Sequence, residues 1–194
     1  LPPPVYPPGA YGYAGPPPQP SRLLVKHATI WTSGPQGVLE NADLLVERGK
    51  VAAVGVDLEA PVGALIIDAS GKHVTPGLVD AHAHIATSGG LNEGSQAVSA
   101  EVRVGDVLNS YDMNIYRLLA GGTTTLHVLH GSANPIGGQN ATIKLRWSAA
   151  PEALKLEGAA PTIKFALGEN VKQSNWGDGH TSRYPQTRMG VEQI

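Results

Sequence analysis

The sequence has 194 residues, a net charge of −2 and no cysteine. This length allows one domain with a sizeable core or two small ones, and the nearly balanced charge gives no indication of a nucleic-acid or anionic-membrane surface. Because there are no thiols, any bound metal must be held by histidine, a carboxylate or a modified lysine. There is no run of 18 apolar residues, so no membrane-spanning helix is expected.

The N-terminal segment, residues 1–21, is rich in proline: nine of the 16 prolines of the chain lie in residues 1–20. Proline fixes φ and has no N–H group to donate, so this composition predicts an extended linker or a disordered tail. An alternative interpretation is an interaction module in which Tyr6, Tyr11 and Tyr13 help the segment to dock into an aromatic-lined groove.

Residues 22–75 have the pattern of a meander of short strands. Residues 23–25, 28–31, 43–46, 51–54 and 64–68 are apolar and rich in β-favouring side chains. The turn at residues 47–50 contains Gly49, which tolerates a positive φ, and therefore predicts a hairpin.

From Pro76 onward, strand-like and helix-like segments alternate, which is typical of parallel βαβ units in an α/β fold. Residues 78–82 and 123–130 are predicted strands, and residues 112–120 are a predicted helix that ends at Gly121-Gly122. Residues 131–140 are predicted to be a glycine-rich loop. Residues 162–167 are predicted to be a further strand.

The first of these strands ends in a His-x-His motif within Pro76-Gly77-Leu78-Val79-Asp80-Ala81-His82-Ala83-His84. Side chains two residues apart on a strand point to the same face, so both imidazoles are expected to approach one point and form half of a metal site. Asp80 has two open interpretations: it could orient one of these histidines, or make a structural hydrogen bond to the neighbouring loop.

This motif and the elements around it resemble the amidohydrolase superfamily over residues 22–194. The resemblance implies an α/β fold that contains a partial (β/α)8 TIM barrel, with about the first three or four strands, preceded by the N-terminal half of a small β-sandwich. The expected domains are a proline-rich linker or tail (1–21), the sandwich part (22–75) and the truncated barrel (76–194). A complete barrel needs about 250 residues, so the chain is expected to be an N-terminal fragment, inactive by itself.

The resemblance also implies a set of functional residues. His82 and His84 would bind a divalent metal, with zinc as the expected ion and one or two ions bound. Lys164 would bridge the ions after carboxylation, since its Thr-Ile-Lys-Phe context makes a buried ammonium costly. Glu169 is the substitute ligand and Lys144 a weaker candidate. His130, at the end of the second strand, joins Lys164 as a predicted catalytic residue.

Four polar residues are predicted to contact the substrate. Asn134, Gln139 and Asn140 belong to the glycine-rich loop, and Arg183 could bind a carboxylate through two hydrogen bonds. The expected partner is a small-molecule amide or peptide substrate, with no nucleic acid and no membrane span. A homo-oligomer is compatible with these patterns.

The resemblance implies a hydrolase that cuts an amide, cyclic-amide or dipeptide bond with a metal-activated hydroxide. The motif order looks most like the imidazolonepropionase and Xaa-Pro dipeptidase branch. One alternative is a deaminase, which in this superfamily uses one metal and no bridging lysine. The other alternative is a non-catalytic fragment or a proline-rich interaction module. Substrate, metal number and compartment stay open.

Overall fold

A computed structural model describes residues 19–177 and 183–194 of the protein. The fold is mixed α/β with strands dominating, and the chain divides into two compact units, one up to Pro76 and the other from Gly77. Residues 1–18 of the predicted proline-rich segment lie outside the described residues. No helix in the described ranges is long and apolar enough to cross a membrane.

The first unit is a five-stranded sheet. Its strands are β1 (Arg22–Trp31), β2 (Val38–Glu47), β3 (Lys50–Gly55), β4 (Leu65–Asp68) and β5 (His73–Val74). The main path through the sheet is β3-β2-β1-β4; β1 to β3 are antiparallel, and β4 and β5 both pair in parallel with β1. The hairpin predicted at residues 47–50 is confirmed, with Gly49 at φ 75°.

The segments predicted as strands at 23–25 and 28–31 are one strand, β1, with a break in its register between Val25 and Ala28. His27 takes a φ of 61° there, and its N–H donates to Asp43 Oδ1 at 3.0 Å. Burial opposes ionisation of Asp43, but the N–H groups of His27 and Leu58 and the Lys26 ammonium outweigh it and lower the Asp43 pKa. The buried carboxylate thus holds the bulge in place.

The second unit contains the remaining strands and helices. These are β6 (Leu78–Ala83), α1 (Met113–Ala120), β7 (Thr123–Val128), β8 (Ile136–Gln139), β9 (Ala141–Lys144), α2 (Pro151–Leu154), β10 (Ile163–Phe165) and α3 (Arg188–Glu192). Strands β6 and β7 are parallel and joined through α1, and β9 pairs antiparallel with β7. The predicted βαβ unit is therefore present.

The core of this unit lies on one face of the β6-β7-β9 sheet. Leu126 and Val128 of β7 and Ile143 of β9 are completely buried there and cluster with Ile115 of α1. Helix α1 begins where the Asp112 side chain accepts from Asn114 N–H, and it ends at Gly121 as predicted. The opposite face of the sheet, which carries the odd-numbered residues of β7, is the face on which the histidine pair lies.

Two predicted elements differ from the structure. The glycine-rich segment 131–140 contains a strand, β8, because Gly137 and Gly138 let the backbone run against the His130 ring; a Cβ on Gly137 would stand 2.6 Å from His130 Nδ1. Strand β10, predicted to continue a parallel series, pairs antiparallel with β8. Among the named strands in the described part of this unit, parallel pairing joins β6 to β7, and β8 adds isolated parallel bridges to Val98 and Arg103.

Candidate metal centre

The His82 and His84 rings meet at the carboxyl end of β6, as the strand periodicity predicts. Their Nε2 atoms are 3.0 Å apart, and the ring centroids are 4.9 Å apart with the planes nearly perpendicular. Ala83, between them, is buried on the core face, so the chain presents both imidazoles to the opposite face. Two nitrogens that bind one zinc ion at about 2.0–2.1 Å lie roughly 3 Å apart, so this pair fits a shared ion.

The protonation of His84 follows from its neighbour. His84 Nδ1 is 3.0 Å from the carbonyl oxygen of Leu129 at the end of β7. Because a carbonyl can only accept, Nδ1 carries a proton, so the neutral tautomer of this ring is the one with its lone pair on Nε2, directed at His82. This is the arrangement in which a metal-binding histidine is oriented by a backbone carbonyl.

The pKa of His82 lies below its ordinary value. The protein atoms packed around the ring lower it first, and the positive charge of the nearby Lys164 lowers it further. A lowered pKa keeps the imidazole neutral near pH 7, and the neutral form is the one that can bind a metal. The electrostatics of the site therefore agree with its geometry.

Asp80 makes a structural hydrogen bond, but within its own strand and not to the neighbouring loop that the sequence suggested. Its Oδ1 accepts from the main-chain N–H of His82 at 3.0 Å and so holds the end of β6. The bond shapes the backbone that carries the histidine pair. The ring nitrogens are oriented by other contacts.

Lys164 is placed near the histidine pair by β10. The residue is 9% exposed and close enough for its charge to lower the His82 pKa. Lys144, the weaker candidate, is exposed on β9 opposite Thr125, which aligns with Val79 near the start of β6. The histidines lie at the other end of β6, so Lys164 is the better-placed lysine.

Glu169 is not a third member of the pair, and its predicted role as a ligand needs correction. Its Oε2 lies 2.5 Å from Lys172 Nζ and its Oε1 lies 3.6 Å from Arg188 Nε. The hydrogen bond from Lys172 lowers the Glu169 pKa, and Arg188 adds to the effect. Across residues 19–177 and 183–194, no three histidine, aspartate or glutamate side chains come together as a metal-binding group. The carboxylate is used in an ion-pair network that links α3 to the loop after β10.

His130 also differs from its predicted catalytic role. The residue is 3% exposed; Nδ1 donates to the Gly131 carbonyl at 2.8 Å, and Nε2 accepts from Glu93 N–H at 3.0 Å. Both ring nitrogens are therefore occupied by main-chain groups, which leaves neither for proton transfer. The ring lines a cavity of about 350 Å³, but as part of its wall.

The three predicted loop contacts to substrate are used within the protein. Asn134 is fully buried and its Nδ2 donates to Gln96 O and Ser99 Oγ, while Oδ1 has no hydrogen-bond partner. Asn140 Oδ1 accepts from His130 N–H, and its Nδ2 donates to Thr162 Oγ1. Gln139 Nε2 donates to the Ala100 carbonyl. These amides fix the segment around β8.

Arg183 is likewise a structural residue in this arrangement. Its guanidinium donates to the carbonyls of Gly94 at 2.6 Å, Ala133 at 2.7 Å and Tyr184 at 3.2 Å. Partial burial lowers its pKa below the ordinary value. The side chain joins distant loops through main-chain acceptors, so the predicted carboxylate contact is not supported by this geometry.

His127, to which the sequence analysis gave no role, lies on the face of the histidine pair. Its neighbours Leu126 and Val128 are the residues that face the core. Its Nε2 is 2.7 Å from Thr162 Oγ1, and the residue is close enough to His82 to affect the His82 pKa when its ring is protonated. The alternation of β7 residues could have revealed this, had it been counted from Leu126.

Comparison with known proteins gives relatives for most of the chain, although no protein-family model matches it. The amidohydrolase tasK of Hapsidospora irregularis is 34% identical over 200 residues, covering 86% of this chain and 20% of that protein. The imidazolonepropionase of Mycolicibacterium smegmatis is 40% identical over 70 residues, covering 36% of this chain and 18% of its own length. The chain thus spans about a fifth of each of these relatives.

A solved structure shows the same fold over nearly the same range. The crystal structure of an amidohydrolase from Thermotoga maritima matches 87% of this chain and 44% of that chain, with 38% identity and a TM-score of 0.73. The sequence similarity and the structural similarity both extend well beyond the His-x-His motif. The chain belongs to the amidohydrolase superfamily.

Proposed function

We propose that the protein containing this chain is a metal-dependent hydrolase of carbon–nitrogen bonds, acting on an amide, a cyclic amide or a dipeptide. The observation that carries the proposal is the convergence of His82 and His84 Nε2 at 3.0 Å on the end of β6. The relatives named amidohydrolase, dihydroorotase and imidazolonepropionase are hydrolases of this class. Within it, the imidazolonepropionase and Xaa-Pro dipeptidase branch is our preferred assignment.

The finer architecture belongs to the same proposal. We assign β6 and β7 as the first two strands of a (β/α)8 barrel, with the sheet of residues 22–75 as the first part of a β-sandwich and residues 1–21 as a linker. Active sites in such barrels lie at the carboxyl ends of the strands, where His82 and His84 are found.

The roles of the residues follow from their contacts. His84 is held by the Leu129 carbonyl with its Nε2 lone pair free to bind a cation, and His82 stays neutral because of its lowered pKa. Lys164 is the residue that would be carboxylated to bridge two ions. A divalent ion at this position would polarise the scissile carbonyl and make water a stronger nucleophile at neutral pH.

The test is a metal and activity assay on the full-length protein. Metal content is measured for the native protein and for His82→Ala and Lys164→Met, together with hydrolysis of dihydroorotate, hydantoins and N-acyl dipeptides. Two ions per chain, lost in part by Lys164→Met and strongly reduced by His82→Ala, would support the proposal. A single ion with an unmodified Lys164 would favour the deaminase instead, and full metal content in His82→Ala would exclude the site.

A further inference from the structure

Lys164 is held near the histidine pair without direct strand pairing between β10 and β6 or β7. Strand β10 pairs antiparallel with β8, while β6 and β7 belong to the sheet that includes β9. Main-chain pairing within one sheet therefore does not set the separation between Lys164 and His82. Side chains that connect the two sheets can set it.

Thr162 makes the connection, two residues before Lys164. Its hydroxyl is 2.7 Å from His127 Nε2 on β7 and accepts from Asn140 Nδ2 at 3.0 Å, while its carbonyl accepts from Asn140 N–H at 3.0 Å. The orientation of the Asn140 amide is fixed, because its Oδ1 accepts from the His130 N–H. The Thr162 hydroxyl therefore receives a hydrogen bond from Asn140 and can donate its own proton to His127.

The hydrogen bonds of Thr162 also constrain the position of Lys164, two residues later. Thr162 lies immediately before β10, and residues two apart on an extended chain point to the same side, so Lys164 is expected to project from the side on which Thr162 contacts His127. His127 lies on the same face of the β6-β7-β9 sheet as the histidine pair of β6, opposite the core residues Leu126 and Val128.

We propose that His127 and Thr162 are a positioning pair that holds Lys164 at the distance from His82 and His84 at which it can bridge two metal ions. The inference rests on the proposed function, since it assumes that Lys164 is a ligand. Neither His127 nor Thr162 touches the reacting atoms in this scheme. They act through the placement of Lys164, as supporting residues around metal ligands commonly do.

The experiment uses the full-length protein and isosteric variants. Thr162→Val removes the hydroxyl and keeps the shape, Thr162→Ser keeps the hydroxyl, and His127→Leu removes the other partner. Thr142→Val is the matched control, because Thr142 lies on β9 directly opposite His127. The readouts are the affinity for the second zinc ion, the ¹³C signal of a carbamate on Lys164 in ¹³C-bicarbonate, and the melting temperature.

Thr162→Val and His127→Leu are each expected to weaken binding of the second ion at least threefold and to reduce the carbamate signal. Thr162→Ser should restore both readouts, and Thr142→Val should leave them unchanged. The double variant should be no weaker than either single variant, because both remove one connection. If one single variant fails to fold, the other and Thr162→Ser still decide the question.

The inference is overturned if Thr162→Val binds the second ion and carries the carbamate as the native protein does. It is also overturned if the losses of second-ion affinity in Thr162→Val and His127→Leu add in the double variant. A third contrary result is a loss of affinity that accompanies a lower melting temperature and that is not restored in Thr162→Ser. His82→Ala separates this failure from that of the proposed function. If His82→Ala loses metal while Thr162→Val binds metal as the native protein does, only the positioning role is refuted. If His82→Ala keeps its full metal content, the proposed metal site is refuted together with the positioning role.

Discussion

The ends of β6 and β7 both carry histidines, but the two ends have different chemistry. At the end of β6, His82 and His84 direct their Nε2 atoms at one another across 3.0 Å, and the remaining ring nitrogen of His84 is held by a carbonyl. Just after β7, His130 has both ring nitrogens bonded to main-chain groups. The comparison shows that position at a strand end does not by itself make a ring nitrogen available: the Nε2 atoms of the pair face each other, whereas both nitrogens of His130 are bonded to the main chain.

The largest difference between the two ends should appear on removing a ring from each. His82→Ala deletes one of two converging nitrogens, so metal affinity of the full-length protein should fall at least 100-fold, equivalent to about 2.7 kcal/mol, and hydrolysis should be lost. The melting temperature should change little, because the His82 side chain makes no core contact. Metal analysis and thermal unfolding check both parts.

His130→Ala should give the reverse pattern. It removes a buried ring and leaves the Glu93 N–H and the Gly131 carbonyl without their partner, which should cost about 2–3 kcal/mol of unfolding free energy. Metal binding should remain in the fraction that folds. Denaturant titration measures the unfolding free energy, and metal analysis measures binding in the folded fraction. A His130→Ala variant as stable as the native protein but without metal would contradict this prediction.

Gly137→Ala tests the packing around His130 without touching the ring. The new Cβ would stand 2.6 Å from Nδ1 and 3.1 Å from Cγ, so the ring or β8 must shift, at a cost of about 1–3 kcal/mol. Gly168→Ala is the matched control, since a Cβ there meets nothing within 4 Å. Equal unfolding free energies for the two variants would contradict the close approach.

A change of pH should affect metal binding less than these substitutions do. The lowered pKa of His82 means that protons compete with metal only below the ordinary histidine value of about 6.5. The contribution of His82 to metal affinity should be constant from pH 8 to about pH 6.5 and then decline by up to tenfold per pH unit as His82 is protonated. Calorimetric titration between pH 5 and 8 measures this, and a decline that begins above pH 7 would contradict the direction of the shift.

The parts of this architecture that sequence predicts are those set by local chemistry. Strand periodicity predicts His82 and His84 on one side, and the helix predicted over residues 112–120, with Gly121 as its end, agrees with α1 within one residue. The Gly49 turn was also read from neighbouring residues alone. Each of these features depends on residues within one turn or one strand.

The predicted site residues whose side chains are used in contacts within the protein depend mostly on distant partners. Arg183 bonds to Gly94 and Ala133, which are 89 and 50 positions away, and nothing local to Arg183 reveals those carbonyls. The role of His130 depends on Glu93, 37 positions earlier. Glu169 is different, because its Lys172 partner lies three positions away and could have indicated an ion pair before a ligand role.

The bond from His84 to the Leu129 carbonyl has a consequence for engineering this family. The ring orientation of a residue on β6 depends on the register of β7, where Asp80 aligns with Leu126 and Ala83 with Val128. Inserting or deleting one residue within β7 would replace the carbonyl at that point and invert every side chain beyond it. Libraries that vary loop length should therefore keep the spacing from Thr123 to Leu129 unchanged.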